Sequence, residues 1–252
     1  MYSFLRKPRW LAFLLLGVVG AIGMPLLGQW QINRYHDKQA ENKVVKDRLA
    51  LSPVPLRVAV ADNATIDDGA SQEWQRVTAT GTYDADRQVL IDLRSYKGHP
   101  GYHVLTPLRL DDGRAVLINR GWVPPEAAVD GPRPNPTPPS GTVTVVGRIR
   151  ASQIRTIGPK ANPTGTLTVL TRVDVERIGQ QTPYRLAPVY VELISQDPVP
   201  TDELALIDAQ APDAGTNLSY AMQWFFFTAV GLITWPIIIR REGASRAKKA
   251  KP

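Results

Sequence analysis

The chain has 252 residues, of which 43% are hydrophobic, and its formal net charge is +7. It contains no cysteine, which excludes disulfides, c-type haem attachment, thiolate zinc sites and cysteine nucleophiles. It also has only three histidines and three methionines, too few for the clustered soft-metal ligands of a copper chaperone.

The basic residues are concentrated at the two ends of the chain. Residues 6–9 and 240–251 contain nine of the 30 lysines and arginines but only one of the 23 acidic residues. The middle is therefore almost neutral, with 21 basic and 22 acidic residues. This distribution indicates a membrane topology and argues against a nucleic-acid-binding domain.

The first apolar segment comprises residues 11–27 and lies between Trp10 and Trp30. With these flanks it is long enough to cross a bilayer, and the two tryptophans stand where interfacial aromatic residues are found. A cleaved signal peptide also begins with basic residues followed by an apolar stretch. The length of this apolar run favours a retained membrane anchor over that alternative.

A polar segment follows and gives way to β structure. Residues 31–51 are predicted to continue the first helix until Pro53 stops it. After residue 73, short β-branched and aliphatic runs alternate with Gly, Pro and Asp turns, which predicts an antiparallel sheet or a small barrel. A proline-rich stretch at residues 124–140 is predicted to be an exposed loop.

The clearest β element is a hairpin in the centre of the chain. Residues 103–108 and 115–119 are rich in β-branched and aliphatic types, and Asp112-Gly113 between them provides the turn. The second strand runs into Asn119-Arg120-Gly121-Trp122, which we call the Asn-Arg-Gly-Trp motif. Arg120 and Trp122 suit either a local packing role or a contact with a partner protein.

The second apolar segment comprises residues 220–239 and ends at Arg240-Arg241. It contains no carboxylate, amine or imidazole, so it shows no sign of an ion pathway. Both ends of the chain are short and basic, and the positive-inside rule therefore predicts that both termini are cytoplasmic. The long middle is then on the outer side.

Catalytic chemistry is not apparent in the sequence. We find no nucleophile with a base, no carboxylate pair, no metal cluster and no phosphate-binding loop. His99 and His103 are four residues apart, but Pro100-Gly101 between them excludes the helix that would align them for a metal. The chain is therefore predicted not to be an enzyme.

Three separated stretches of the sequence form a specific combination. The first follows the first apolar segment, the second is the central hairpin, and the third begins the second apolar segment. They are LGQWQ at 27–31 with Arg34 and Lys38, GYHVLTPL at 101–108 with NRGWVP at 119–124, and LSYAMQWF at 218–225. Together these stretches resemble the surfeit-locus family of cytochrome c oxidase assembly factors, as a bacterial member.

The resemblance implies two transmembrane helices flanking an outward-facing β-rich domain, which agrees with the topology predicted from the residues. We place a cytoplasmic N-terminus at 1–9, the first helix at 10–30, the β-rich domain at 31–217, the second helix at 218–239 and a basic cytoplasmic tail at 240–252. The expected location is the bacterial plasma (inner) membrane, as a multi-pass protein.

The resemblance also implies a function in the respiratory chain. The expected role is that of a chaperone-like assembly factor that assists maturation of cytochrome c oxidase subunit I, at the step of haem a insertion. The expected partners are subunit I, a respiratory supercomplex and membrane lipid, with no nucleic acid. The protein would then either leave the mature oxidase or stay bound as an accessory subunit.

The resemblance suggests site residues in two regions. In the family a histidine precedes the leucine at the head of the second helix, but here that position is Asn217, a poor ligand for haem iron. Transient contacts with haem a are therefore assigned to Tyr220, Trp224 and His36. Partner contacts are assigned to Arg120, Trp122, Gln223 and Trp224, and no metal ligand is predicted.

Two other classes of function share parts of this pattern. A non-catalytic scaffold of the cell envelope or a transporter accessory protein would have the same topology without any role in haem chemistry, although it would not predict the three stretches together. An anchored outward-facing enzyme would need a catalytic constellation that the sequence lacks.

Overall fold

The computed structural model describes residues 3–128, 136–153, 165–200, 204–209 and 213–249. The chain divides into two compact units. One unit contains residues 1–44 and 211–252, and the other contains residues 45–210. The first is a helix pair and the second is a β domain.

The helix pair consists of α1 (Pro8–Ala50) and α5 (Gly215–Lys249). Both helices are long and apolar enough to cross a membrane. At about 1.5 Å per residue, α1 is roughly twice as long as a bilayer core requires. Its polar second half confirms the predicted continuation of the first helix, and it ends at Ala50, shortly before Pro53.

Aromatic and polar contacts join α1 to α5 near both ends of the helix pair. Near the chain termini, Phe13 stacks on Trp235 with ring centroids 4.1 Å apart. At the other end, the Asn217 amide nitrogen donates to Gln31 Oε1 at 2.7 Å. Lys38 Nζ also donates to the carbonyl of Asp213 at 2.9 Å. These contacts hold α5 against α1 at both ends.

Among its described residues, the β domain contains eight strands and three short α-helices. The strands are β1 (Val54–Pro55), β2 (Arg76–Tyr83), β3 (Val89–Tyr96), β4 (His99–Leu110), β5 (Ala115–Val123), β6 (Thr142–Ala151), β7 (Val169–Leu170) and β8 (Leu186–Asp197). The helices are α2 (Leu56–Ala59), α3 (Ile66–Ser71) and α4 (Val175–Gly179).

The strands form one mixed sheet in the order β1-β2-β6-β8-β5-β4-β3-β7, and β2 also pairs with β4. That extra pairing closes β2, β6, β8, β5 and β4 into a ring. The prediction of an antiparallel sheet or small barrel is confirmed only in part, because β1–β2, β3–β7 and β5–β8 are parallel pairs. Sequence turns indicate where strands end, but they do not fix which distant strands become neighbours.

The central hairpin is confirmed, with β4 and β5 joined by a turn at Gly113, whose φ is +82°. The ring interior is packed by alternate residues such as Val77, Val116, Ile118 and Val191. A second apolar cluster, which includes Ile91, Leu105 and Leu117 on the other face, is covered by β7 and α4. The predicted proline-rich loop is described only at 124–128 and 136–140, and the rest lies outside the described residues.

Candidate partner-binding site

The Asn-Arg-Gly-Trp motif forms the end of β5, where the pairing with β4 is irregular. Leu105 faces Asn119, but Val104 faces Gly121, so Arg120 is an extra residue in its strand. Arg120 continues the alternation of Val116 and Ile118, whose side chains pack inside the ring of strands. The arginine is fully buried, with 0% of its surface exposed.

The Arg120 guanidinium is surrounded by acceptors and an aromatic ring. Nη1 donates to Gln88 Oε1 at 3.2 Å and to the carbonyl of Pro136 at 3.0 Å. Nη2 donates to the carbonyl of Thr137 at 3.5 Å, and the Tyr83 ring centroid lies 5.5 Å from the guanidinium carbon. Arg120 therefore fixes the returning end of the proline-rich loop against the ring of strands.

The burial of Arg120 favours the structural interpretation of its side chain. A partner could touch it only if the loop end at Pro136 moved away, because that loop supplies two of its acceptors. A contact between Arg120 and a partner stays a prediction. The surface that such a partner would meet is formed by the residues that Arg120 holds in place.

Trp122 is half-buried and rests on a glycine. A side chain at Gly101 would come within 2.6 Å of the Trp122 ring and within 2.3 Å of the carbonyl of Val123, so only glycine fits there. On its other side the indole ring packs against Tyr96, with centroids 5.6 Å apart. Its Nε1 makes a long hydrogen bond of 3.5 Å to the carbonyl of Arg94. The indole thus joins β5 to the end of the β3–β4 hairpin.

The backbone of Trp122 holds the segment at residues 204–209, which precedes α5 in the chain and which we call the exit segment. The Trp122 amide donates to the carbonyl of Ala205 at 2.8 Å, and the Ala205 amide donates back at 3.1 Å. Gly121 has a φ of +144°, and a Cβ there would lie 2.7 Å from the Ala205 oxygen. The glycine of the motif therefore allows the exit segment to approach β5.

A buried ion pair holds the exit segment at a second point. Arg148 Nε donates to Glu192 Oε2 at 2.8 Å, and both side chains are less than 10% exposed. The Arg148 Nη2 donates to the carbonyl of Ile207 at 2.7 Å. Arg150 contacts the same carboxylate at 3.4 Å and also pairs with Glu73 at 3.0 Å.

His103 lies beside the motif as a neutral side chain. Its Nδ1 is 3.2 Å from the Asn119 amide nitrogen. Burial, with a smaller contribution from the charge of Arg94, lowers the pKa of His103 from 6.5 to about 4. The imidazole is therefore uncharged at neutral pH, and Nδ1 accepts from the Asn119 amide.

The residues predicted to contact haem lie in the helix pair. Asn217 is engaged with Gln31, and its Oδ1 atom is buried without a hydrogen-bond partner among the described residues. His36 is exposed on α1, with its ring edge against Tyr35. No group of three or more His, Cys, Asp or Glu side chains in the described ranges is placed to hold a metal ion. The amide of Asn217, at the head of α5, is a poor ligand for haem iron.

The aromatic residues of α5 are placed for packing. Tyr220 is 50% exposed, and Gln223 is exposed as well. Trp224 is half-buried and meets Phe227 edge-on, with centroids 6.3 Å apart. The two predicted sets of site residues thus lie in different units, with the motif in the β domain and the other set on the helices.

Sequence reasoning missed the ion pairs behind the motif. Arg148 and Arg150 are two residues apart on β6, and Glu192 stands within an apolar run of β8. The available signal was Glu192 within an otherwise apolar run of β8, because a carboxylate is buried only when it is paired. The pairing itself depends on the β6–β8 register, in which Arg148 faces Glu192.

Replacing Arg120 by lysine is expected to lower the free energy of unfolding by about 3 kcal/mol. Lysine lacks the planar fork of donors, so buried carbonyls and Gln88 would lose their partners. Urea unfolding of the detergent-purified full chain, followed by tryptophan fluorescence, measures this. Arg109→Lys, on the exposed side of β4, is the matched control, and equal effects of the two substitutions would contradict the structural role.

Acidification is expected to destabilise the β domain through His103. Because the folded pKa lies below the unfolded value, the unfolded chain binds the proton more tightly, so stability falls as pH drops from 6.5 towards 4. The loss attributable to this group is about 3 kcal/mol over that range. His103→Gln should flatten the pH dependence of the unfolding midpoint, and an unchanged profile would contradict this assignment.

Replacing Gly121 by alanine is expected to release the exit segment. The new Cβ would collide with the Ala205 carbonyl, in addition to straining a positive φ. Hydrogen exchange of the backbone amide of Ala205 should then become faster. Gly113→Ala carries similar backbone strain but meets open space, so it should leave this amide protected.

Comparison with known proteins identifies a matching family model and several similar proteins. The model of the SURF1 family matches residues 18–229, which include most of the helix pair and the whole β domain. A SURF1-like protein of Mycobacterium tuberculosis (strain ATCC 25618 / H37Rv) is 32% identical over 226 residues, covering 89% of this chain and 81% of the relative.

Other relatives match over shorter stretches. The cytochrome oxidase assembly protein Shy1 of Saccharomyces cerevisiae is 32% identical over 101 residues, covering 40% of this chain and 25% of the yeast protein. Surfeit locus protein 1 of Arabidopsis thaliana is 33% identical over 129 residues, covering 47% of this chain and 35% of the plant protein. With the family model matching across most of its length, this chain belongs to the SURF1 family.

Proposed function

We propose that this protein is an assembly factor for a haem-copper cytochrome c oxidase. The observation that carries the proposal is the family match over residues 18–229, together with the name of the yeast relative as a cytochrome oxidase assembly protein. The role is non-catalytic, and the protein acts on subunit I at the stage of haem a insertion. It leaves once the oxidase matures or stays as an accessory subunit of the oxidase or its supercomplex.

The proposed topology places both helices across the bacterial plasma membrane. Both are long and apolar enough to span it, and the basic residues lie at the two chain ends. The positive-inside rule then puts both termini in the cytoplasm and the β domain on the outer side. Reporter fusions at the termini and within the β domain would test this arrangement.

The helices are proposed to dock on the oxidase within the membrane. Gln223 and Tyr220 are exposed on α5, and Trp224 is half-buried beside them. Exposed side chains of this kind drive helix association in lipid by close packing and hydrogen bonding. The same face of aromatic residues suits a transient contact with a porphyrin. Since the amide of Asn217 is a poor ligand for haem iron, the proposed contact is one of packing against the porphyrin.

The β domain is proposed to bind a partner on the outer side. The motif residues place three pieces of chain together, because Arg120 holds the proline-rich loop, Gly121 admits the exit segment, and Trp122 contacts the β3–β4 hairpin. A scaffold of this kind recognises an assembly state of the oxidase through complementary shape and needs no reactive group.

Deleting the gene tests the proposal. We expect the haem a signal in reduced-minus-oxidised spectra of washed membranes to fall, with oxidase activity, while the other cytochromes are unaffected. The wild-type gene should restore the signal. Immunoblotting of subunit I separates two stages, because persistent subunit I without haem a places the defect at haem insertion. An unchanged haem a signal with normal activity would contradict the proposal and favour a general envelope scaffold.

A further inference from the structure

The β3–β4 hairpin ends in an extension that the assigned site residues do not include. Pairing of β3 with β4 is interrupted between Ile91 and Arg94 and resumes to the last pair, Tyr96 with His99. We call residues 92–99 the hairpin tip. Its Tyr96 ring is the one that packs against Trp122, so the tip adjoins the motif.

Two residues of the hairpin tip have backbone conformations that their residue types rarely adopt. Leu93 has a φ of +58° and Lys97 has a φ of +48°. Residues with a Cβ are disfavoured in this left-handed region, which glycine and asparagine tolerate. Lys97 is followed by Gly98 at φ +85°, a pair of positive angles for which tight hairpins prefer Asn-Gly.

Trp74 is the third non-glycine residue with a positive φ in the described chain. Its backbone strain is offset by contacts within the domain. Its ring lies 3.9 Å from the Arg150 guanidinium carbon, and its amide donates to the carbonyl of Ile149 at 2.8 Å. Leu93, in contrast, is 77% exposed, so packing within the domain does not offset its backbone strain. Its backbone is supported by the Asp92 carboxylate, which accepts from the Leu93 amide at 2.6 Å.

Lys97 is equally unsupported by packing. It is exposed, and its ammonium lies 5.1 Å from the centroid of Tyr96, a contact worth little at such a position. An exposed leucine and an exposed lysine thus stand where local energetics favours glycine or asparagine. Departures from local preference that the fold does not require are expected at functional positions.

We propose that the hairpin tip is the contact surface for a protein partner, which receives Leu93 in an aliphatic pocket and pairs a carboxylate with Lys97. The inference rests on the proposed function, which makes this partner an outward-facing segment of the oxidase. Tyr96 extends the contact towards Trp122. Asp92 argues against a lipid surface as the occupant, since insertion of Leu93 would bring its carboxylate to the bilayer.

Substitutions that suit the backbone separate this role from a structural one. Leu93→Gly and Lys97→Asn relieve local strain, so the full-length protein should unfold at the same temperature as wild type or higher. Both variants should nevertheless weaken partner binding by about tenfold and lower the haem a signal in the complemented deletion strain. Val58→Ser removes a different 70% exposed apolar side chain, on α2, and should change neither readout.

A photocrosslinking residue at the exposed position of Ser95, in the full chain in its own membranes, identifies the occupant. We expect a crosslink to an oxidase subunit that Leu93→Gly and Lys97→Asn both reduce. Crosslinks to lipid alone, or normal oxidase assembly by both variants in a strain whose oxidase is lost on deletion, would overturn the inference. If deletion leaves the oxidase intact, the proposed function fails separately. The inference would then still stand if a crosslink to one specific protein, sensitive to both variants, were found.

Discussion

The burial of the Arg120 guanidinium determines which distant parts of the chain lie together in the β domain. Arg120 has no exposed surface, and a charge removed from water must be compensated by fixed acceptors. Here the acceptors include the Gln88 side chain and two loop carbonyls, with the Tyr83 ring nearby. Because these groups come from distant parts of the chain, satisfying the guanidinium also fixes their positions. Arg120 reaches these groups because it continues the inward-facing alternation of Val116 and Ile118 on β5.

The motif and the ion pairs together organise the exit from the domain. Trp122 and Arg148 bind the exit segment through its backbone, at Ala205 and Ile207. Backbone contacts of this kind place few demands on the sequence of the segment itself. The demands fall on the strands, where Gly121 must leave room and Glu192 must neutralise Arg148. This explains why a short stretch of β5 carries so specific a combination of residues.

Sequence reasoning succeeded where the signal is local and failed where it depends on register. The two apolar helices, the polar extension of α1 and the hairpin at Gly113 follow from composition, length and turn chemistry. The parallel pairing of β5 with β8 links residues about 70 positions apart, and no local pattern encodes it. The same limit concealed the burial of Arg120, because its acceptors on Gln88, Pro136 and Thr137 come from distant parts of the chain.

The two units differ in what they offer a partner. In the helix pair, the polar groups at the head of α5 are largely used on α1, since Asn217 binds Gln31 and Lys38 binds the Asp213 carbonyl. In the β domain, the side chains of the motif make their contacts within the domain. In the adjoining hairpin tip, Leu93 is exposed and has a strained backbone conformation. A buried motif therefore acts as the support, and recognition falls to the neighbouring side chains that it positions.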